Sequence, residues 1–184
     1  LLEARTGRLN SPHITAQKAL KRTADILIAS VAIIALLPVF IGVAAALKIQ
    51  GQGGSVFYGG HRIGRGGKPF RCWKFRSMEP DSDHLLEAYL EANPDEKTNW
   101  EKYRKLRNDP RITTRAASLI RKTSIDELPQ LWNVLTGDMS LVGPRPILEE
   151  EIPYFGESID DYLSVRPGIT GLWQVSGRNE TTFA

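Results

Sequence analysis

The segment ILIASVAIIALLPVFIGVAAAL, residues Ile26–Leu47, decides the fold of this 184-residue chain. Its 22 residues include no charged side chain. A straight helix of that length extends about 33 Å, and the hydrocarbon core of a bilayer is about 30 Å thick. The segment is too long for the apolar part of a cleavable signal peptide, and no small-residue cleavage site follows it. We therefore predict a helix that inserts into a membrane.

Pro38 lies near the middle of this segment and predicts a bend. Proline removes one helical hydrogen bond and clashes with the carbonyl four residues earlier. Both flanks are basic, which is typical of the cytoplasmic side of a membrane. The flanking cations are Lys18, Lys21, Arg22, Lys48, Arg62, Arg65 and Lys68. A re-entrant helix, bent at Leu37–Pro38 and returning to the same face, is favoured over a spanning helix, which stays the alternative. We expect Lys21, Arg22 and Lys48 to meet lipid phosphates.

The charges divide unevenly along the chain. The net charge is +3, but residues 1–78 hold 12 basic and 2 acidic side chains, whereas residues 79–184 hold 12 basic and 19 acidic ones. The basic half contains the apolar segment, which favours an anionic lipid surface. A non-catalytic, membrane-tethered module that binds anionic lipid is the alternative interpretation. No aromatic platform or groove-reading helix accompanies the basic residues, so we expect no nucleic-acid partner.

Cysteine and histidine usage argues against a disulfide or a zinc site. Cys72 is the single cysteine, which rules out an internal disulfide and a thiolate metal cluster. It lies in a strand-like apolar run and is predicted to be inert packing. The three histidines, His13, His61 and His84, lack the spacing of metal ligands.

The pattern beyond the apolar segment predicts a small α+β domain that is mainly helical. Ser55–Tyr58 and Pro69–Met78 are the predicted strands of a hairpin, with a turn at Gly64–Gly67. In the second strand Lys74 and Arg76 share a face, because side chains alternate along a strand. Phosphate binding and a solvated surface are both open for that face.

Further elements are predicted from apolar periodicity and stop signals. Asp81–Leu106 has an amphipathic helical pattern that breaks at Asn93–Pro94. The remaining predicted elements are a helix over Ile112–Arg121, a helix from Asp126 to Leu135 that stops at Thr136–Gly137, a strand over Met139–Val142, a helix over Ile147–Phe155, and turns at Arg166–Gly168 and Ser176–Asn179.

Two adjacent carboxylates, Asp126 and Glu127, lie at the predicted start of a helix. Ser124-x-x-Glu127 fits a capping box, in which both side chains satisfy backbone donors. Basic residues nearby exceed what a cap needs: Arg121 and Lys122 precede the pair, and Arg145 follows between Pro144 and Pro146. An aspartate in that setting can hold Mg²⁺, act as a base, or attack phosphorus and become an aspartyl phosphate. The residues alone leave these three roles open.

Five motifs accompany the proline-broken apolar helix: KRTADI (21–26), KFRSM (74–78), RKTSIDELPQL (121–131), MSLVGPRP (139–146) and RPGITGLWQ (166–174). On these residues the chain resembles the monotopic polyprenyl-phosphate phosphoglycosyl transferases, also called bacterial sugar transferases, which begin exopolysaccharide, capsule and O-antigen synthesis. The resemblance runs from about residue 18 to the end. Residues 79–108 and 173–179 look most like members that transfer galactose-1-phosphate or glucose-1-phosphate.

The resemblance implies a reaction and roles for individual residues. It implies transfer of a hexose-1-phosphate from a UDP-sugar to undecaprenyl phosphate, with release of UMP, through a covalent aspartyl sugar-phosphate and with Mg²⁺. Asp126 is then the expected nucleophile and Glu127 its partner in metal or proton handling, so both are expected metal ligands. The expected phosphate-binding residues are Arg121, Arg145, Lys74 and Arg76.

The resemblance also implies a domain organisation and a location. Residues 1–20 form a tail, residues 21–50 a re-entrant membrane helix kinked at Pro38, and residues 51–184 a catalytic domain with a charged helical insertion at 79–108. Lys21, Arg22 and Pro38 are expected near lipid headgroups, on the cytoplasmic leaflet of the inner membrane of a bacterium. Members usually continue beyond the counterpart of Ala184, so a C-terminal truncation is expected. The resemblance leaves the hexose open and is compatible with a homo-oligomer.

Overall fold

The fold is that of a computed structural model, which describes residues 12–51, 54–103, 106 and 108–171. The helices are α1 (Pro12–Ala35), α2 (Leu37–Ile49), α3 (Ser82–Ala92), α4 (Pro94–Tyr103), α5 (Arg115–Lys122), α6 (Gln130–Thr136) and α7 (Ile159–Ser164). The strands are β1 (Phe57–Ile63), β2 (Pro69–Phe75), β3 (Ser140–Val142) and β4 (Gly168–Thr170), with 3-10 turns at Arg65–Gly67, Ile125–Glu127 and Glu149–Ser158. The chain is therefore a mixed, mainly helical fold with a short antiparallel hairpin, as predicted.

α1 and α2 form one bent helix pair, with an angle of 57° between the two helices. The break falls at Leu36, and Pro38 occupies the first turn of α2. Proline is tolerated there because the first N–H groups of a helix have no partner within it. The N–H of Leu36 donates to the carbonyl of Ala32 at 2.9 Å, and the N–H of Phe40 donates to the carbonyl of Leu36 at 3.0 Å. The predicted bend is confirmed, one residue before the predicted Leu37–Pro38.

The bent pair exposes one apolar side and buries the other. Within the described ranges no single helix is long and apolar enough to cross a membrane, whereas α1 and α2 meet that requirement together, by length and composition. Re-entrant or spanning insertion therefore stays a prediction. The large exposed apolar side chains are Leu20, Ile26, Leu27, Ile28, Val31, Ile34, Leu37, Val39, Ile41 and Ile49. On the buried side, Ala29 and Leu47 belong to two separate hydrophobic clusters.

The hairpin pairs β1 and β2 antiparallel, with Gly59 opposite Trp73. The predicted first strand, Ser55–Tyr58, is wrong in its bounds, because β1 begins at Phe57 and continues through two glycines to Ile63. A Cβ at Gly59 would lie 3.1 Å from the Trp73 ring, so the glycine leaves room for that ring. The predicted second strand also ends earlier than Met78, at Phe75.

β2 lies between the two hydrophobic clusters. Cys72 is buried in the first cluster with Ala29 and residues of α6, and Phe75 is buried in the second with Leu47 and residues of α5. The cluster partners from α6 and α5 are Leu131, Val134, Ala116, Ala117 and Ile120. The prediction that Cys72 is buried packing is confirmed. β2 is thereby fixed between the bent pair and the helices on either side of the two carboxylates.

The C-terminal part of the described chain closes over the hairpin. β3 and β4 pair in parallel, so the turn predicted at Arg166–Gly168 is wrong at Gly168, which begins β4. A Cβ at Gly168 would lie 2.1 Å from the backbone nitrogen of Gly143, so these two backbones approach too closely for any side chain.

The helix predicted over Ile147–Phe155 is confirmed in part. It is a 3-10 helix that runs from Glu149 to Ser158 and contains Pro153, so the predicted bounds are wrong. The buried Tyr162 hydroxyl joins Ile147, just before this segment, to the end of β1. That hydroxyl accepts a hydrogen bond from the N–H of Ile147 at 3.2 Å and lies 3.1 Å from the carbonyl of Ile63.

α3 and α4 confirm the predicted amphipathic pair with its break at Asn93–Pro94. α3 contains no buried residue, so this hairpin lies on the surface. Trp100 of α4 stacks on Arg111, whose guanidinium carbon lies 4.9 Å from the ring centroid. The predicted turn at Ser176–Asn179 lies outside the described residues.

Candidate active site

The two carboxylates lie on a tight turn, Ser124–Glu127, here called the carboxylate turn. Ser124 adopts φ 57° and ψ 18°, and it is the only non-glycine residue with positive φ in the described ranges. Its side chain makes no capping hydrogen bond, so the predicted capping box is wrong. The contact between Ser124 and Glu127 is instead made by backbone: the N–H of Glu127 donates to the carbonyl of Ser124 at 3.2 Å. The Glu127 side chain is free to reach another element.

Glu127 pairs with Lys74 across the site. The Nζ atom of Lys74 donates to Oε1 of Glu127 at 2.9 Å, and both side chains are about one-third exposed, at 31% and 30%. Lys74 is near the end of β2, so this ion pair joins the hairpin to the carboxylate turn. Because the two residues are far apart in sequence, local patterns gave no indication of the pairing.

Asp126 is buried beside this pair, with 8% of its surface exposed. Burial raises the pKa of the Asp126 carboxyl above its ordinary value of 3.8, because a charge is poorly solvated there. The positive charges of Lys74 and Arg121 lower that pKa, and the negative charge of Glu127 raises it. Asp126 is therefore a desolvated carboxyl with two cations close enough to act on its charge.

Arg121 comes from the last turn of α5, just before the carboxylate turn. Its Nη1 atom donates to the hydroxyl of the buried Ser77 at 3.4 Å. α5 begins at a side-chain cap, where Thr114 accepts from the N–H of Ala117 at 3.1 Å. The structure thus brings together four of the predicted residues: Lys74, Arg121, Asp126 and Glu127.

Arg145 and Arg76 lie with other partners. Arg145 forms an ion pair with Glu151. Arg76 donates from Nε to the carbonyl of Ser55 at 2.8 Å, and its guanidinium carbon lies 5.5 Å from the centroid of the Tyr58 ring. Neither arginine is among the charged groups that shift the pKa of Asp126, which are Lys74, Glu127 and Arg121. Phosphate binding by Arg145 and Arg76 stays a prediction.

Lys21 and Arg22 are bonded within the protein. Lys21 donates to Asp25 at 3.1 Å and also contacts the hydroxyl of Ser140. Arg22 donates to the carbonyls of Val134 and Leu135, at 2.6 and 3.1 Å, which lie at the C-terminal end of α6. A cation is favourable there because the last carbonyls of a helix lack partners within it. Contact of Lys21, Arg22 and Pro38 with lipid headgroups stays a prediction.

Asp25 and Asn133 are structural residues that the sequence patterns missed. The Asp25 carboxylate accepts from the hydroxyl of Ser140 at 2.7 Å and from the N–H of Leu141 at 3.2 Å, which joins α1 to β3. The Asn133 amide accepts from the N–H of Trp73 at 2.9 Å and donates to the carbonyl of Arg71 at 2.7 Å. An isolated carboxylate beside an apolar segment was the one available signal for Asp25. Asn133 gave none.

The comparison with known proteins identifies the family. The chain matches the family model described as bacterial sugar transferase over residues 16–184. The chain belongs to the bacterial sugar transferase family. This sugar transferase is 52% identical over 166 residues to an uncharacterized sugar transferase of Haemophilus influenzae, covering 90% of this chain and 35% of that protein.

Two relatives with more specific names are similarly close. This sugar transferase is 49% identical over 164 residues to the exopolysaccharide production protein ExoY of Rhizobium meliloti, covering 89% of this chain and 72% of ExoY. It is 50% identical over 164 residues to an undecaprenyl-phosphate galactose phosphotransferase of Salmonella typhimurium, covering 89% of this chain and 34% of that protein. The chain thus spans only 34–35% of the length of the Haemophilus and Salmonella relatives.

The acidic residues of this sugar transferase bear on metal binding. Among the described residues no group of three or more His, Cys, Asp or Glu side chains is placed to hold a metal ion. The carboxylate turn offers two carboxylates, Asp126 and Glu127. Mg²⁺ is commonly held by one or two carboxylates together with the phosphates of a substrate. The donor set therefore fits a magnesium ion that arrives with a phosphorylated substrate.

Proposed function

We propose that this chain transfers a hexose-1-phosphate from a UDP-sugar to undecaprenyl phosphate and releases UMP. This would be the first membrane step in the synthesis of exopolysaccharide, O-antigen or capsule. The observation that carries the proposal is the burial of Asp126 beside Lys74 and Arg121, which act on its charge. The name of the Salmonella relative supports this class of substrate, and the name of the Rhizobium relative supports a role in exopolysaccharide production.

In the proposed first step, a carboxylate oxygen of Asp126 attacks the phosphorus that carries the hexose. A bond forms between that oxygen and phosphorus, while the bond from phosphorus to the bridging oxygen breaks and UMP leaves with it. In the second step, a phosphate oxygen of undecaprenyl phosphate attacks the same phosphorus. The bond to Asp126 then breaks, which restores the carboxylate and leaves the sugar on a lipid diphosphate.

The neighbouring side chains would stabilise the charge that develops during transfer. The positive charges of Lys74 and Arg121 would favour the ionised form of the Asp126 nucleophile. They would also stabilise the negative charge on the phosphoryl oxygens. Glu127 holds Lys74 in place through their ion pair. Arg145 and Arg76 are proposed to bind phosphate groups of the substrates. Arg145 would then have to leave its ion pair with Glu151 to contact the substrate.

Asp126 and Glu127 would also hold Mg²⁺ in this proposal, as the composition of the carboxylate turn allows. When bound, the ion would offset negative charge on the diphosphate of the UDP-sugar. Glu127 has Oε1 engaged by Lys74, so its second oxygen is the one available to a metal.

The bent pair would place this chemistry at the cytoplasmic leaflet. Undecaprenyl phosphate keeps its phosphate at the membrane interface, and UDP-sugars are supplied from the cytosol. Exposed apolar side chains on α1 and α2, including Leu27, Val31 and Ile41, provide a surface that lipid can cover. Re-entrant insertion is the proposed arrangement, because both ends of the pair carry basic residues.

The experiment is an assay of UMP release in detergent with Mg²⁺, undecaprenyl phosphate and a panel of UDP-sugars. Asp126→Asn should abolish turnover, whereas the exposed Asp160→Asn should match the wild type. With radiolabelled UDP-galactose or UDP-glucose and no lipid acceptor, label should remain on the wild-type protein and be absent from Asp126→Asn. Substantial turnover by Asp126→Asn would exclude Asp126 as the nucleophile.

A further inference from the structure

Six polar residues are buried in the described part of the chain: Asp25, Ser77, Asp126, Gln130, Asn133 and Ser140. Most have an evident partner. Asp25 and Ser140 bond each other, Asn133 bonds the backbone of β2, and Ser77 accepts from Arg121. Buried polar groups are nearly always bonded in this way. The exceptions are therefore informative.

Gln130 is one exception. It is 3% exposed, and within the described residues its side-chain amide makes no hydrogen bond. A buried polar group without a partner destabilises the folded state. Asn133 has the same functional group, lies one turn further along α6, and has partners for both its oxygen and its nitrogen. The burial of α6 therefore does not by itself leave an amide unpaired.

Asp126 is the other exception. Among the described side chains none donates a hydrogen bond to its carboxylate, which accepts from its own backbone amide. The two exceptions are neighbours in the fold. Gln130 is the first residue of α6 and lies one turn after Asp126. Leu128 and Pro129, which join the carboxylate turn to α6, both have helical backbone angles.

The direction of the Gln130 side chain follows from that continuity. Side chains on a helix lean toward its N-terminus and over the preceding turn. The preceding turn here is the carboxylate turn. Two buried polar groups that no described side chain bonds thus lie on successive turns, and one of them, Asp126, is within the electrostatic reach of Lys74 and Arg121.

We infer that Gln130 is a substrate-binding residue of this site, and that its Nε2 atom donates a hydrogen bond to a non-bridging oxygen of the phosphoryl group being transferred. The inference rests on the proposed function, since it places a phosphoryl group on Asp126. Phosphoryl oxygens only accept hydrogen bonds, so only the amide nitrogen of Gln130 can serve them. A buried neutral donor needs no rearrangement of solvent as charge builds, which is the property of an oxyanion-type site.

The test uses Gln130→Met, which keeps the length of the side chain and removes its polar group. If the Gln130 amide is paired only when substrate is bound, the substitution removes a destabilising buried group from the substrate-free protein. The melting temperature should therefore stay the same or rise. The kcat for UMP release should fall about 100-fold, as is usual when one donor to a developing oxyanion is lost. Gln130→Glu should lower kcat at least as much, because a carboxylate replaces the donor.

The outcomes separate this inference from the proposed function. Wild-type kcat in Gln130→Met and Gln130→Glu, with Asp126→Asn inactive, would overturn only the role of Gln130. Turnover by Asp126→Asn would overturn the proposed nucleophile instead. A fall in the melting temperature of Gln130→Met, with kcat per folded molecule unchanged, would show that Gln130 has a structural partner and would also overturn the inference.

Discussion

The Nζ atom of Lys74 lies 2.9 Å from Oε1 of Glu127, and this contact joins the β-hairpin to the carboxylate turn. It also holds a positive charge beside Asp126, whose pKa that charge lowers. One ion pair therefore has two effects, a mechanical one on the turn and an electrostatic one on the buried carboxyl. The two can be separated by experiment.

Lys74→Met should affect activity far more than stability. Both members of the ion pair are partly exposed, so its contribution to the free energy of unfolding is at most about 1 kcal/mol. Without Lys74 the pKa of Asp126 should rise further, and the acid limb of the pH–rate profile should move to higher pH. Lys68→Met, on the exposed end of the same hairpin, is the control and should leave the profile unchanged. An unmoved acid limb in Lys74→Met would contradict this account.

The pH dependence of the wild-type enzyme should report the raised pKa of Asp126. Attack requires the ionised carboxylate, so kcat/KM should increase with pH through a pKa above the ordinary 3.8. Asp126→Glu, if it retains measurable activity, should show a displaced acid limb. Full activity of the wild type down to the ordinary aspartate pKa would argue against a desolvated nucleophile.

Asp126→Asn should make the protein more stable while making it inactive. Burial raises the folded-state pKa, so as pH rises above 3.8 the unfolded chain loses this proton first and the native state loses stability. The neutral amide lacks that penalty. Its melting temperature at pH 7 should therefore exceed that of the wild type, and the difference should shrink as pH falls toward 3.8. In a chain of this size about 1 kcal/mol corresponds to about 2–4 °C. A lower melting temperature at pH 7 would mean that the carboxylate has a stabilising partner.

Ser124→Gly should stabilise the carboxylate turn. At φ 57° an L-residue is strained by roughly 1–2 kcal/mol, and the extra backbone entropy of glycine in the unfolded chain offsets about 0.5–1 kcal/mol of that gain. Ser124→Ala is the matched control, because it removes the hydroxyl and keeps the strain. The free energy of unfolding in urea should be greater for the glycine variant than for the alanine variant. Equal values would show that the turn relaxes without glycine.

Asn133→Leu should destabilise the protein by about 2 kcal/mol or more. The substitution keeps the volume but leaves the partly buried N–H of Trp73 and carbonyl of Arg71 without their partners, and losing a partner costs about 1–3 kcal/mol for a fully buried group. Asp138→Asn is the control. Asp138 lies 3.3 Å from the Asn133 amide, and this substitution leaves both bonds from Asn133 to β2 in place. Urea unfolding gives both values. A change below about 0.5 kcal/mol in Asn133→Leu would show that water replaces the amide.

Sequence patterns predicted the features that depend on local chemistry. Pro38 predicted the bend, because a proline lacks a donor wherever it is found. Gly137 ends α6 with φ 96°, as its place after Thr136 predicted. The same reasoning failed for Ser124 and Glu127, since a cap pattern does not show which distant partner competes for a side chain.

The candidate site was predicted in its residue types and only partly in its contacts. Asp126 and Arg121 are close in sequence, and their proximity could be anticipated. The partner of Glu127 lies on β2, 53 residues away, so that pairing depends on how distant elements pack. The partner of Arg145 is Glu151, only six residues along the chain, and this pairing depends on the path of the backbone between them. Asn133 bonds to backbone groups of β2, and the type of side chain at those positions does not indicate such a bond.

The attachment of α1 and α2 to the rest of the protein constrains how a more soluble variant of this chain can be made. Deleting the pair would remove Ala29 and Leu47 from two hydrophobic clusters. It would also remove the hydrogen bond from Arg22 to the C-terminal end of α6. The helix pair is therefore part of the hydrophobic core, and its deletion should destabilise the remaining domain. Solubilisation should instead keep the pair and replace only outward residues such as Leu27, Val31 and Ile34 with polar ones.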